Sequence, residues 1–403
     1  MFRKIQTFAA SLLCALLVLT ASILPTAHAA TVHLSSQAKS WVLMDALSGS
    51  IMEQKQARRV VNPGELVHLM TLYTALERLE ELKAQGKEIE TTTVHADDVA
   101  QAQSLRRIYL APHEKVDVQV LLRAVAVVNA NDAALALARH TAGSAEAFAG
   151  HMNRFASLLG MTDSSFGGPI VQQNQKTSAR DLALLAAALY QRHPAQFAWL
   201  NDKTFSYAQH RQRNRNLLLW KGHVTDGIMA SSSNRDLISS WHRKAGESVQ
   251  PRHIFAVLLG GLSSETAIND MQTLLINGRT NYETVRLFPA NVPIKKIDIL
   301  SGNRETLELA SPKEVWVTVR RQDIEARGTG GFSAQLRYLA PAVAPVKAGD
   351  PIGTLEIYFE NKHVADFPLH AVHDVGQGSF LSRFVDSVRL RMKPVETTQK
   401  PIN

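Results

Sequence analysis

The chain has 403 residues, 45% of them hydrophobic, and a formal net charge of +8, which is enough apolar material for two buried cores. Its one cysteine, Cys14, lies in a leader-like segment, so the rest of the chain has no disulfide, thiolate metal site or cysteine nucleophile. No internal repeat or low-complexity tract interrupts the sequence.

The N-terminus opens with Arg3 and Lys4, continues through a mostly apolar run over 8–24, and then meets Pro25 and Ala27-His28-Ala29. A cationic start, an apolar run under about 20 residues and small residues at the two positions a signal peptidase reads predict a secretory leader over 1–29. Removing Arg3 and Lys4 takes the net charge from +8 to about +6 over roughly 370 residues. That balance suits a protein working beside anionic lipid or polymer, and export argues against nucleic acid as a partner.

Residues 41–45 (WVLMD) predict a buried strand, Ser48-Gly49-Ser50 a turn, and Ile51-Met52 the start of a return strand. Over 65–82, apolar residues recur at helical spacing at Leu66, Leu69, Met70, Leu72, Leu79 and Leu82, with Pro63 just ahead. The alanine-rich stretch 118–138 predicts one or two buried helices. Ser178 is a candidate cap for a helix whose inner face is Leu182, Leu185 and Leu189. The run 254–259 (IFAVLL) predicts a second buried strand. Together these describe a sheet closed by N- and C-terminal strands and covered by helices, a mixed α+β domain over 30–287.

After about Phe288 the pattern becomes strand-like at 297–300, 315–319, 335–339, 354–359 and 363–370, with Gly- and Asn-rich turns between, including 328–331. This spacing predicts a small all-β sandwich over 288–375. In the last stretch, 376–403, Leu381, Phe384, Val385, Val388 and Met392 share helical spacing with Arg383, Arg389, Arg391 and Lys393 among them. An apolar face with cationic neighbours predicts an amphipathic tail lying on a membrane surface, through Leu381, Phe384, Val385, Val388 and Arg389.

Several short segments, taken in order, carry a resemblance over nearly the whole mature chain: Trp41-Val42-Leu43-Met44-Asp45, Asn62-Pro63 with Leu69-Met70-Thr71, Asn129-Ala130-Asn131-Asp132-Ala133, Thr177-Ser178-Ala179-Arg180-Asp181, Asn214-Arg215-Asn216 with Leu218-Leu219-Trp220, Thr225-Asp226-Gly227-Ile228, and the run Ala344-Pro345-Val346-Lys347-Ala348-Gly349. The chain resembles the D-alanyl-D-alanine carboxypeptidases, the low-molecular-mass penicillin-binding proteins. The resemblance implies a penicillin-binding/β-lactamase-like mixed sheet with helices, then the β-sandwich. It also implies a serine-type activity without metal or cofactor on peptidoglycan pentapeptides, at the periplasmic face of the inner membrane.

That chemistry uses Ser-x-x-Lys for attack and proton transfer, Ser-x-Asn for relay and orientation, and Lys-Thr-Gly on a strand to hold the substrate carboxylate. Here the three sites are Glu65-Leu66-Val67-His68, Asn129-Ala130-Asn131 and Met229-Ala230-Ser231. Of the seven motif residues only Asn131 is retained. The catalytic motifs, at Glu65, His68, Asn129 and Asn131, and the substrate-binding motif, at Met229, Ala230 and Ser231, are therefore degenerate, with Asn131 alone unchanged. The expectation is a pseudoenzyme that binds wall precursor or partner proteins.

Two other readings remain. One is an altered hydrolase in which Glu65 and His68, at i and i+3, act as a carboxylate-oriented base or hold a metal with His223 as third ligand; the plainer account of that pair is an ion-paired or hydrogen-bonded remnant. The other is an envelope scaffold that contacts partners through its β-domain. Ser231-Ser232-Ser233 fits a polar loop. Arg106-Arg107 and Arg211, Arg213 and Arg215 fit solvated charge, or a grip on anionic polymer. His113, His140 and His151 fit ordinary surface or core histidines.

Overall fold

The computed structural model describes residues 36–87, 90–221, 226–243, 251–379, 386 and 396–402. The expected leader over 1–29, His223, and the tail residues Leu381, Phe384, Val385, Val388 and Arg389 lie outside them.

In the first domain β1 (Ser40–Asp45) and β2 (Ile51–Lys55) form the expected hairpin. Short pairs follow: β3 (Thr91–Thr93) with β4 (Lys115–Asp117), and β5 (Thr204–Tyr207) with β6 (His210–Arg213). Strands β7 (Asp226–Ala230), β8 (Leu237–Arg243) and β9 (Arg252–Leu259) complete a five-stranded antiparallel sheet, ordered β2-β1-β9-β8-β7. Every residue of β1 and β9 is buried. Because side chains alternate across a strand, Phe255, Val257 and Leu259 enter one core while Ala256 and Leu258 enter another on the opposite face.

The helices are α1 (Val67–Ala84), α2 (Ala96–Gln101), α3 (Val118–Val128), α4 (Asn131–Ala142), α5 (Ala145–Leu158), α6 (Ala179–Arg192), α7 (Pro194–Trp199) and α8 (Ser264–Asn281). The central helix α1 is buried nearly all round through its first three turns, as expected of a helix inside a domain. The stretch 118–138 is two helices because Asn129 takes the left-handed conformation (φ 53°) at the end of α3, a position where asparagine is tolerated. Asp117, Ser144 and Ser178 cap α3, α5 and α6, each accepting a backbone N–H two or three residues on. The sequence reading had no counterpart for α8, which starts with a capping box between Ser263 and Thr266 and covers the second face of the sheet.

The second domain starts earlier than the expected residue 288. Its first strand, β10 (Tyr282–Phe288), pairs with β13 (Val315–Arg320), so the boundary falls at the end of α8. Strands β11 (Pro293–Leu300), β12 (Thr306–Ala310), β14 (Phe332–Ala340), β15 (Ala342–Val343), β16 (Pro351–Phe359), β17 (Lys362–Ala371) and β18 (Glu396–Ile402) form a seven-stranded sheet ordered β15-β11-β12-β17-β16-β14-β18. Leu307, Leu309, Leu336, Leu355 and Leu369 share one core with Val315 and Val317 of β13. Two features depart from the sequence reading. A helix, α9 (Arg321–Arg327), precedes the glycine turn at 328–331. Seven residues near the end of the stretch expected as an amphipathic tail, Glu396–Ile402, pair antiparallel with β14 as a sheet strand, which a helical pattern over 381–392 could not foretell.

The two domains meet across buried charge. Arg252 and Asp45 are both fully buried, 3.2 Å apart. Arg252 also donates to the Tyr282 carbonyl at 2.6 Å, and Thr284 Oγ1 donates to Asp45 at 2.6 Å. Burial pulls the Arg252 guanidinium below its usual range, and the Asp45 carboxylate opposes that pull.

Candidate active-site cleft

The three degenerate segments converge. Glu65 sits in the short 3-10 turn Gly64–Leu66 that leads into α1. Asn129-Ala130-Asn131 forms the corner between α3 and α4. Met229-Ala230-Ser231 lies at the end of β7, the edge strand. Asn129 Nδ2 lies 3.4 Å from the Ala230 carbonyl, at the long limit of a hydrogen bond.

Each position is committed elsewhere than the family chemistry requires. The Glu65 carboxylate accepts a close hydrogen bond from the Ser232 backbone N–H. His68 is fully buried, and its Nδ1 lies 2.9 Å from the main-chain carbonyl of Glu65. The carboxylate and the imidazole therefore do not form the side-chain pair that i, i+3 spacing suggested: the first crosses to the turn after β7, and the second turns back onto its own helix start. Burial holds the His68 imidazole below its ordinary range; the Glu65 carbonyl and carboxylate and, more weakly, Asn131 oppose this, while Arg106 adds to it. A histidine depressed from 6.5 is neutral at pH 7, so it does not replace a lysine ammonium.

Met229 is 2% exposed and packs into the main core, so the strand edge presents no cation. Ser231 belongs to a tight turn: its N–H donates to the Asp236 carbonyl, and its hydroxyl accepts from the Asp236 N–H at 3.2 Å and lies 3.2 Å from the Ser233 hydroxyl. The serine run is thus the polar turn expected of it. Asn131, the retained motif residue, donates from its backbone N–H and its Nδ2 to the Arg106 carbonyl, at 2.8 and 2.9 Å.

Arg106, expected as solvated charge or a grip on anionic polymer, is joined to the second motif through its carbonyl, which no sequence spacing foretold. It lies on the loop after α2. The buried Asp132 carboxylate holds that loop by accepting the Ile108 and Leu110 N–H groups at 3.0–3.2 Å. Its guanidinium donates to the Arg213 carbonyl at 2.6 Å. Burial and the neighbouring Arg215 push it down to about 10, with Glu65 pulling the other way. Arg107 instead lies over the Tyr109 ring and Arg213 over the Trp220 ring.

Among the described residues the only cluster with metal-ligand spacing is Glu77, Glu80 and His193. Its two acids lie about two to three turns beyond His68 on α1, and the cluster borders a cavity of about 730 Å³. Both Glu77 oxygens already accept from Arg192, at 2.5 and 2.8 Å, and His193 Nε2 lies 2.9 Å away. A guanidinium seated on both oxygens leaves the carboxylate neutralised without an ion.

Residues 26–234 match the model of the D-alanyl-D-alanine carboxypeptidase family, and residues 282–377 match the C-terminal domain of penicillin-binding protein 5. The chain belongs to the D-alanyl-D-alanine carboxypeptidase family. It is 29% identical to the D-alanyl-D-alanine carboxypeptidase DacC of Escherichia coli over 378 residues, 91% of this chain and 92% of that protein. It is 28% identical to DacD of the same organism, over 87% and 89% of the two chains. Penicillin-binding protein 5 from Haemophilus influenzae superposes with a TM-score of 0.71 at 26% identity, over 84% of this chain and 98% of that one. The penicillin-binding domain followed by a β-domain is therefore the family architecture. The family acts in peptidoglycan metabolism. Among the described residues, no helix is long and apolar enough to cross a membrane.

Proposed function

We propose that this family member binds peptidoglycan peptides or their precursors in the envelope without hydrolysing them. The observation that carries the reading is the bond between the Glu65 carboxylate and the Ser232 N–H. An acyl-transfer site needs an attacking hydroxyl and free N–H donors for the oxyanion that forms. Here a carboxylate stands at the attacking position and already occupies the N–H donor that faces it. The neutral, buried His68 and the core-facing Met229 remove the two cations the family mechanism uses. Losing a catalytic serine alone can cost a hydrolase on the order of a millionfold in turnover.

The altered-hydrolase reading draws no support from this arrangement, because the His68 ring is tied to a main-chain carbonyl and the Glu65 side chain to Ser232. The protein would work at the periplasmic face of the inner membrane, with the 381–392 stretch as its lipid contact. The test is to incubate the purified chain with pentapeptide and with peptidoglycan sacculi. The expected result is co-sedimentation with sacculi and no release of D-alanine. D-alanine release that disappears in His68→Ala would overturn the reading. For the lipid contact, Phe384→Asp with Val388→Asp should move the protein from the membrane to the soluble fraction.

A further inference from the structure

The hairpin β5–β6 lies outside the three motif segments and carries a cationic face. Side chains alternate along a strand, so its two faces differ. On the inner face Phe205 is buried and Tyr207 packs against the main core. On that same face His210 lies against the Tyr109 ring, with 4.6 Å between centroids, and Gln212 donates to the Arg107 carbonyl at 2.8 Å. The outer face presents Thr204 and Ser206 opposite Arg213 and Arg211. Both arginines are exposed, and so is Lys203 just ahead of the hairpin.

Neutral groups hold these cations in place. The Arg213 guanidinium lies 4.1 Å from the centre of the Trp220 ring, and the Lys203 ammonium 5.4 Å from it. The Trp220 ring is itself fixed, its Nε1 donating to the Asn214 carbonyl at 3.1 Å. Arg211 donates to the Thr204 hydroxyl at 3.4 Å, and Arg107 lies 5.2 Å from the centre of the Tyr109 ring. Among the described residues none of these four cations forms an ion pair, whereas Arg58, Arg123, Arg139, Arg180 and Arg192 of the same domain do. The bordering acids are engaged elsewhere: Asp202 by Arg123 at 2.7 Å, and Glu114 by the Tyr207 hydroxyl and the Ala111 N–H, each at 3.0 Å. Four cations without a counter-charge make a surface complementary to a polyanion. Side chains already restrained lose less freedom on binding one.

Tyr109 narrows the choice of partner. Its φ of 66° is a conformation that bulky residues rarely adopt, and Asp132 holds it by accepting the Ile108 and Leu110 N–H groups on either side. The residue so held is 54% exposed. A flat apolar ring beside guanidinium groups suits the C–H face of a sugar and adds nothing for a bare phosphate chain. The guanidinium groups favour phosphate, which they meet through two parallel N–H bonds. A bilayer contact needs apolar side chains to bury among the headgroups, and the outer face of the hairpin offers hydroxyls and guanidinium groups instead.

We infer that the outer face of β5–β6, with Arg107 and Tyr109 at its rim, docks a phosphorylated polysaccharide, its phosphates on Arg211 and Arg213 and a sugar ring on Tyr109. The surface includes no motif position, and the inference does not depend on the peptide-binding reading.

The test uses the full chain with fluorescein-labelled phosphomannan, and with the same mannan stripped of its phosphates, read by anisotropy over a range of salt. Phosphomannan should bind about ten-fold or more tightly than the stripped mannan, and its affinity should fall steeply as salt is raised. Arg211→Gln with Arg213→Gln should weaken phosphomannan about ten-fold or more and lower the slope of log affinity against log salt by about two. Both side chains are exposed, so the thermal melt of the double variant should match that of the unsubstituted chain. Tyr109→Gly, which removes the ring and accepts the backbone conformation, should weaken phosphomannan several-fold and leave linear polyphosphate binding unchanged. Equal binding of the two mannans, or binding of neither, would overturn the inference, and so would an unchanged affinity in the double variant. An equal loss for polyphosphate in Tyr109→Gly would contradict the sugar contact. Phosphatidylglycerol vesicles that capture the chain through the two arginines, with phosphomannan left unbound, would assign the surface to a membrane and contradict the polysaccharide.

Discussion

At the domain junction, Arg252 and Asp45 are fully buried and paired; Arg252 also donates to the Tyr282 carbonyl, and Asp45 also accepts from the Thr284 hydroxyl and the Leu47 and Ser48 N–H groups. At the degenerate site, Arg106 is half-buried, its guanidinium donates to the Arg213 carbonyl, and among the described residues no carboxylate pairs with it. Both places hold a guanidinium away from bulk water, and burial depresses both. The difference lies in what completes them. The junction is satisfied from within the chain, which marks it as structure. At the other site the Arg106 guanidinium is held by a main-chain carbonyl, that of Arg213, rather than by a carboxylate.

That contrast can be broken at either end. The largest effect is expected from Asp45→Ala, which leaves Arg252 buried and unpaired and should cost about 3–5 kcal/mol in urea unfolding. Replacing both partners, Asp45→Leu with Arg252→Met, should recover most of the loss. A single-mutant cost under about 1 kcal/mol would mean that the pair is not what holds the junction.

Next is His253, which precedes 254–259 on β9 and is stacked on Phe255 and close to Tyr190 and His242. Burial, with His242 adding to it, pushes this imidazole down to about 3. Because the folded value lies below the unfolded one, near 6.5, the unfolded chain takes up the proton first. Stability from this group is fully present above 6.5 and is lost as pH falls from 6.5 towards 3. Between pH 7 and pH 5 the loss should be about 2 kcal/mol, and His253→Phe should flatten that part of the pH profile. Asp132→Asn should cost about 1–2 kcal/mol, by turning an amide donor toward backbone N–H groups that need an acceptor. The smallest effect sharpens the comparison most. Arg106→Gln should change stability by no more than about 0.5 kcal/mol, the opposite of the junction arginine.

The sequence carried the parts of the fold that periodicity and caps specify. The apolar spacing of α1, the Ser178 cap of α6 and the continuous apolar run of β9 are local signals, and the structure has those elements. Helix α8 was missed because its apolar face is diluted by polar residues, although Ser263 and Thr266 form a capping box at its start. Strand β9 begins at Arg252 and His253, two polar residues whose burial depends on partners more than 200 positions away or across the sheet. At the site, the sequence identified which motif residues had changed. It could not show that Glu65 crosses to Ser232, that His68 turns onto a carbonyl, or that Asn131 serves Arg106. Those are choices between hydrogen-bond partners made in three dimensions, and no spacing rule encodes them.

The most direct test is intact-mass spectrometry of the full chain after prolonged incubation with excess benzylpenicillin. A carboxylate at the attacking position and an occupied backbone donor predict an unchanged mass, and Glu65→Ser alone should also remain unmodified, because His68 and Met229 still stand where cations are required. A stable covalent adduct on the unsubstituted chain would contradict the account.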